Sequence, residues 1–347
     1  VLNERGSVSL DTYVVDLAWS PYSDAIAVAG GEGAVVLVEG VAEKLRHRTL
    51  GEHGMGTIAV AWQPGARVVA SSGQDSSVAL WDTAAPAENA LIKRWRPGTA
   101  WTDHIAYSPD GKLLATATGK VLSLWTPSGE RVQQFDALPA SIAALAWDEP
   151  GRDLAAAVQG GIHVHRIEPP SFSTRHYSWP AACLTAAYSP NGKVLATGTQ
   201  DGTVHFWYLL TGKDSQMRGY ASRVTQTQWS ANSRYLATAA GNDVVVWDFG
   251  GRGPEGTRPL ELQGHTDRVT LLAFHPEGPW LVSAGRDWRI TLWQPGAKDT
   301  ASVDAHLTSG EITALRWSPD GRMLAVGDAK GRLTLYGLSG RTPSRPR

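Results

Sequence analysis

One phrase recurs along this chain: alternating apolar residues, an aromatic, then a turn rich in proline and glycine. A repeat of this kind constrains a fold more tightly than any other feature of a sequence. The phrase stands at Trp19-Ser20-Pro21, Trp62-Gln63-Pro64-Gly65, Tyr107-Ser108-Pro109-Asp110-Gly111 and Trp147-Asp148-Glu149-Pro150-Gly151. It returns at Tyr188-Ser189-Pro190-Asn191-Gly192, Trp229-Ser230-Ala231-Asn232, Phe274-His275-Pro276-Glu277-Gly278 and Trp317-Ser318-Pro319-Asp320-Gly321. Successive aromatics lie 40–45 residues apart.

Each copy continues in the same way. A second apolar run follows the turn, as in Val194-Leu195-Ala196-Thr197, then a tight polar turn such as Gly73-Gln74-Asp75. A third run closes on an aromatic, as in Val78-Ala79-Leu80-Trp81 and Ile290-Thr291-Leu292-Trp293. A fourth, more polar stretch such as Arg131-Val132-Gln133-Gln134-Phe135 suits an outer strand with one edge in water. Period-two alternation, β-branched residues and Gly/Asp/Asn punctuation read as short antiparallel strands. Four strands per repeat make one blade of a β-propeller, so the expected fold is all-β with eight four-stranded blades. Residues 1–338 form the propeller and 339–347, rich in Arg and Pro, a flexible tail. The last repeat lacks a fourth strand of its own, while residues 3–10 precede the first repeat. Pairing residues 3–10 with the blade built from 311–337 closes the ring. A seven-bladed ring that leaves out the first or fourth repeat is the alternative.

The chain resembles the WD-repeat family, over essentially all of residues 1–338. Two repeats carry the marker set at identical offsets: His53, Ser71, Asp75 and Trp81, and again His265, Ser283, Asp287 and Trp293. The fifth repeat keeps Thr197, Asp201 and Trp207. The first, fourth and eighth depart most, with Val38, His165 and Tyr336 in the closing Trp position. The resemblance implies a hydrogen-bonded set within each blade. A buried indole N–H needs an acceptor, and a neutral His can bridge a hydroxyl and a carboxylate. Ser, His and Asp together also suggest a catalytic triad, yet a trio repeated from blade to blade is scaffolding.

Composition excludes several classes. A net charge of −1 argues against a globally basic nucleic-acid binder. One cysteine, Cys183, excludes a disulfide framework and a Cys-rich zinc site. No apolar run approaches the length of a membrane span and no signal pattern opens the chain. A monomeric, cytoplasmic protein without cofactor or metal is expected. Frequent Ala, Gly and Arg with little Lys point to a GC-rich, bacterial genome. Trp at 15 against Phe at 5 is the compositional oddity, and ten of those tryptophans fall on recurring strand positions.

Function is expected on the face where outer-to-inner-strand connections meet the Asp turns. The resemblance points to Tyr13, Gly56, Trp101, Asp103, Ser141, Ala182, Arg223, Arg268, Thr270, Glu311 and Thr313, flanking the leading residue of each inner strand. The turns add Gln74, Gln159, Gln200 and Arg286. Arg223, Arg268 and Arg286 come from adjacent repeats and suggest a cationic sector. Trp101 and Trp288 are tryptophans that the repeat does not require, a residue type enriched in binding hot spots. His163, His165 and His205 are spaced for strand packing rather than convergence on a metal. The expectation is a non-enzymatic scaffold for a protein or peptide partner. The alternative is a small-ligand, metal-binding or enzymatic propeller using the central channel, where Asp103 would stand.

Overall fold

A computed structural model of the chain describes residues 1–251, 253–297 and 301–339. Blade 1 consists of Val14–Trp19, Ala25–Gly30, Ala34–Glu39 and Arg46–Glu52, hydrogen-bonded in that order from the axis outward. The inner strands of blades 2 to 8 are Thr57–Trp62, Thr102–Tyr107, Ala144–Trp147, Ala187–Tyr188, Gln226–Trp229, Val269–Phe274 and Ile312–Trp317. Each inner strand contacts the next, and that of blade 8 contacts that of blade 1, so the ring is closed with eight blades. The seven-bladed alternative does not hold, because the first and fourth repeats both form blades. A single turn of 3-10 helix, Ala87–Asn89, is the only helix among the described residues.

Position within a blade sets the residue types. The second strands are buried almost throughout, and Ala25–Gly30, Leu114–Thr118 and Leu281–Gly285 at every residue, because a neighbouring blade covers each face. Hence they are runs of Ala, Ser, Thr, Gly and aliphatics instead of alternating patterns. Outer strands such as Arg46–Glu52 are mostly solvated and correspondingly polar. The turn after each inner strand has a matching chemistry. Ser108 Oγ donates to Asp110 at 2.7 Å and accepts the Leu113 N–H at 3.0 Å. Ser189, Ser230 and Ser318 make the equivalent pairs.

Closure runs as the sequence suggests. Leu2–Ser9 pairs antiparallel with Arg332–Leu338, the third strand of the blade containing Ile312–Trp317 and Met323–Asp328. The sheets therefore run from Leu2 to Leu338, and residues 340–347 of the expected tail lie outside the described residues.

Blade 4 differs in form. Asp153–Glu168 is one continuous 16-residue stretch of strand. A straight strand of that length would separate its ends by roughly 50 Å, yet the Ile167 N–H donates to the Arg152 carbonyl at 2.7 Å. The stretch folds back on itself through Gly160 and Gly161, whose φ values of +94° and +136° suit glycine. Thr83→Arg67, Leu209→Lys193 and Phe249→Arg234 are the same bond in blades 2, 5 and 6, so blade 4 keeps the four-stranded plan.

The inner-strand tryptophans do more than pack. Trp19, Trp62, Trp147, Trp229 and Trp317 each donate the indole N–H to a backbone carbonyl of the preceding blade: Arg316, Ala18, Ala106, Ala187 and Ala273, at 2.9–3.3 Å. Trp is thus favoured over Phe there because its N–H stitches one blade to the next. Tyr107, Tyr188 and Phe274 hold the same position without that bond, and the hydroxyls of Tyr107 and Tyr188 are buried without a partner.

Candidate partner-binding face

The hydrogen-bonded set forms in both complete repeats. In blade 2, Trp81 Nε1–H donates to Ser71 Oγ at 2.7 Å, Ser71 pairs with His53 Nε2 at 2.8 Å, and His53 Nδ1 meets Asp75 at 3.1 Å. Blade 7 repeats it with Trp293, Ser283, His265 and Asp287 at 2.7, 2.7 and 3.0 Å. These partners place the proton on Nδ1 and leave Nε2 as acceptor. Blade 3 keeps only Trp125 Nε1–H to Thr116 Oγ1. In blade 6 a tyrosine replaces the histidine: Tyr220 OH bridges Trp247 Nε1 and Thr238 Oγ1, both at 2.7 Å. The sequence marker for that substitution is spacing: Tyr220 stands 18 residues before Thr238, as His53 does before Ser71 and His265 before Ser283. In the departing repeats the closing position is filled by buried Val38, His165 and Tyr336.

The set fixes the turn that carries the candidate face. Burial alone would raise the Asp75 carboxyl, but hydrogen bonds from the Ser77 hydroxyl and from the Gly54 and Ser77 N–H groups hold it down at about 2. Burial pushes the His53 imidazole below its ordinary value, against the attraction of Asp75.

From each such turn one backbone bond reaches the neighbouring loop. The N–H groups of Gly31, Gln74, Gln200, Arg286 and Ala329 donate to the carbonyls of Tyr13, Gly56, Ala182, Arg268 and Glu311. Three pairs of positions named from the sequence, Gln74 with Gly56, Gln200 with Ala182 and Arg286 with Arg268, are therefore partners across one seam, and Tyr13 and Glu311 pair there with Gly31 and Ala329. Just inside it, the inner strands bulge at their second residue, with register shifts between Thr102 and His104, Val269 and Leu271, and Ile312 and Ala314. Asp103, Thr270 and Thr313 are the bulged residues, a geometry that re-aims side chains. Each leading residue between these positions is buried, Cys183 in blade 5 included, and burial pushes its thiol up to about 11. The lone cysteine is packing.

Two expectations about this face change. Trp101 and Trp288 are both half exposed, at 50% and 46%. They belong to blades 3 and 7, on opposite sides of an eight-bladed ring, so they do not form one hot spot. The arginine sector is also less cationic than its sequence. Arg223, Arg268 and Arg286 are exposed, but Arg286 Nε lies 3.2 Å from Glu311 Oε1, a surface pair worth under about 1 kcal/mol. Trp95, Trp179 and Trp280 pack: against Trp125, against His205, and on the core between blades 7 and 8.

The histidines separate into stacks. His163 lies on His176 (4.4 Å between centroids), His205 on Trp179 (3.9 Å), and His165 on Phe135 (4.2 Å) with Nδ1 bonded to Thr174. Among the described residues no group of three or more His, Cys, Asp or Glu is arranged to hold a metal ion. A cavity of about 590 Å³ is lined by the inner strands, but its half-buried Asp16 already faces Arg316 at 3.7 Å, and Asp103 is not in its lining.

Burial lowers the imidazoles of His53, His104, His163, His165, His205 and His275, that of His165 to about 4. A histidine neutral in the fold takes up its proton on unfolding, so the unfolded chain binds more protons below its ordinary value of 6.5. Stability is full above pH 6.5 and falls as pH drops toward 4; burial of Asp16, whose carboxyl is raised, works weakly the other way. Melting temperature measured from pH 8 to 4 should stay level to about 6.5 and then decline. His165→Phe should flatten that decline by about 3 kcal/mol. A curve level down to pH 4.5 contradicts the assignment.

A profile of the WD domain, G-beta repeat, matches residues 45–82, 172–208, 213–248 and 256–294, and the Anaphase-promoting complex subunit 4 WD40 domain matches 300–342. Each of the four segments takes in the outer strand of one blade and ends at the closing strand of the next. Cell division cycle 20.5, cofactor of APC complex, from Arabidopsis thaliana, is 26% identical over 316 residues, 84% of this chain and 67% of that protein. Anaphase-promoting complex subunit cdc20 from Dictyostelium discoideum is 23% identical over 311 residues, 87% of this chain and 53% of its own length. Telomerase protein component 1 from Mus musculus is 24% identical over 278 residues, 74% of this chain but 10% of that protein. The chain thus spans about half to two thirds of the cell-division relatives. These relatives come from a plant, a slime mould and a mammal, so the expectation of a bacterial source is not borne out.

Proposed function

The chain belongs to the WD40-repeat family, and from that premise we propose that it is a non-enzymatic scaffold whose face of paired loops and turns binds a protein or peptide partner. The observation that carries this is the convergence of both loop series on one face, locked by repeated backbone bonds, with exposed Arg and Trp side chains left over. Rigid loops bearing such residues lose little entropy on binding. The relatives named as cofactors or subunits of an anaphase-promoting complex make a multiprotein assembly of that kind the first place to look. A cytoplasmic monomer acting as an adaptor, without cofactor, completes the reading.

Affinity purification of the tagged full chain, beside an Arg268→Ala/Arg286→Glu variant, tests it. The parent chain should recover a defined set of proteins and the variant should lose them. Equal recovery by both dismisses this face.

A further inference from the structure

The turn between second and third strands has one shape in five blades. Gly33, Ser76, Gly202, Trp288 and Gly331 each donate an N–H to the carbonyl three residues earlier, at 3.0–3.4 Å. Each adopts a left-handed backbone, with φ of +113°, +62°, +74°, +61° and +79°. Three blades use glycine, as this conformation favours, and blade 2 uses a small serine. Blade 7 places tryptophan there, where a Cβ and a bulky ring are disfavoured.

The hydrogen bonds at this position do not call for an indole. The Trp288 carbonyl accepts from the N–H and the hydroxyl of Thr308, at 2.8 and 3.0 Å, bonds any residue would make. Trp288 is 46% exposed, so nearly half of a large apolar residue stays open to a partner. A strained residue held by a backbone that would suit glycine better marks function. Its surroundings define the chemistry. The Lys330 ammonium lies 5.3 Å from the ring centroid, leaving a cation beside an apolar surface. The carboxylates of the flanking turns and loop are committed: Glu311 to Arg286, Asp287 to His265 and Asp328 to Ser309.

We propose that Trp288 is the anchor of the partner-binding face, taking an apolar side chain of a partner peptide whose adjacent carboxylate pairs with Lys330. This rests on the assignment of that face above. Partial desolvation by the bound side chain strengthens the Lys330–carboxylate pair.

The test is selection of random displayed peptides on the immobilised full chain, followed by affinity measurement with the enriched sequences. Peptides joining an aliphatic or aromatic residue to Asp or Glu are expected. Trp288→Gly should weaken them by about thirtyfold, the scale of a hot spot, while Trp288→Phe retains most of the affinity. Lys330→Glu should weaken them too, with recovery when the peptide carboxylate is exchanged for Lys. The melting temperature of Trp288→Gly should not fall below that of the parent; a marked fall overturns the claim that the fold does not need the indole. Peptides that bind Trp288→Gly normally but are lost on Arg268→Ala/Arg286→Glu overturn the anchor and leave the face standing. Peptides indifferent to all these substitutions overturn both.

Discussion

Removing residues 1–10 is expected to abolish cooperative folding. Leu2–Ser9 supplies the outer strand of blade 8, in register from Leu2↔Leu338 to Ser9↔Arg332. It is anchored at both ends. Leu2 is 2% exposed among Trp317, Leu324 and Tyr336, and Leu10 is 6% exposed beside Val14 and Leu333. The Leu2 N–H also donates to Asp304 Oδ2 of blade 7 at 2.7 Å, and the Leu10 N–H to the Gly331 carbonyl at 2.8 Å. Emptying two buried leucine sites costs about 2–5 kcal/mol each, before the broken ladder is counted. A total above about 5 kcal/mol consumes much of the stability an ordinary domain has. The truncated chain would also expose Arg332–Leu338 as a free edge and aggregate. Melting by circular dichroism and size-exclusion chromatography check this, and a peptide of residues 1–10 added in trans should restore a cooperative transition by filling the vacant strand. A truncated chain that melts like the parent sinks the closure.

That strand could be placed from sequence because the argument needed only local signals: a repeat without its fourth strand at one end and an unclaimed strand at the other. The same holds for the blade set, whose His, Ser, Asp and Trp recur at fixed offsets, and for the adjacency of Gln74 to Gly56, Gln200 to Ala182 and Arg286 to Arg268, which follows from strand order. What could not be read depends on neighbours around the ring. The Arg286–Glu311 pair joins blades 7 and 8. The separation of Trp101 from Trp288 follows only once eight blades are closed. The blade-to-blade bonds of Trp19, Trp62, Trp147, Trp229 and Trp317 leave no periodic trace beyond the aromatic itself. Tyr220 takes the histidine's bridging part through a phenol at the histidine's own offset, 18 residues before the second-strand hydroxyl, so the position was legible and the exchange of residue type hid it. The strain at Trp288 was half visible: the repeat does not require a tryptophan there, but the positive φ that turns an odd residue into a costly one is a property of the backbone.

Ser283→Ala should destabilise the protein by about 3 kcal/mol, more than deletion of one surface hydroxyl could. Ser283 is fully buried and serves two groups at once, accepting from Trp293 Nε1–H and meeting His265 Nε2, both at 2.7 Å. Alanine strands both, and each unpaired buried group costs about 1–3 kcal/mol. Three comparisons separate this from simple loss of packing. Trp293→Ala, at a site with no exposure, should cost more, about 3–5 kcal/mol, through its cavity. Trp293→Phe keeps most of the ring and leaves Ser283 bonded to His265, so about 1 kcal/mol is expected. Thr116→Val in blade 3 strands only the Trp125 N–H, because no histidine completes that set, and should cost about half as much as Ser283→Ala. Denaturant midpoints at constant slope give all four values, and the Ser283→Ala/Trp293→Phe double variant measures their coupling, expected to be large because the two share one bond. The consequence reaches the binding face, since His265 holds Asp287, and Asp287 receives the Thr266 and Arg289 N–H groups at 3.0 and 3.2 Å on either side of the Arg286–Trp288 turn. Asp287→Ala should therefore loosen Arg286 and Trp288 and weaken partner recovery even below the melting temperature. If Ser283→Ala costs no more than Thr116→Val, the histidine adds nothing to the set, and the rigidity assigned to this turn has to come from elsewhere.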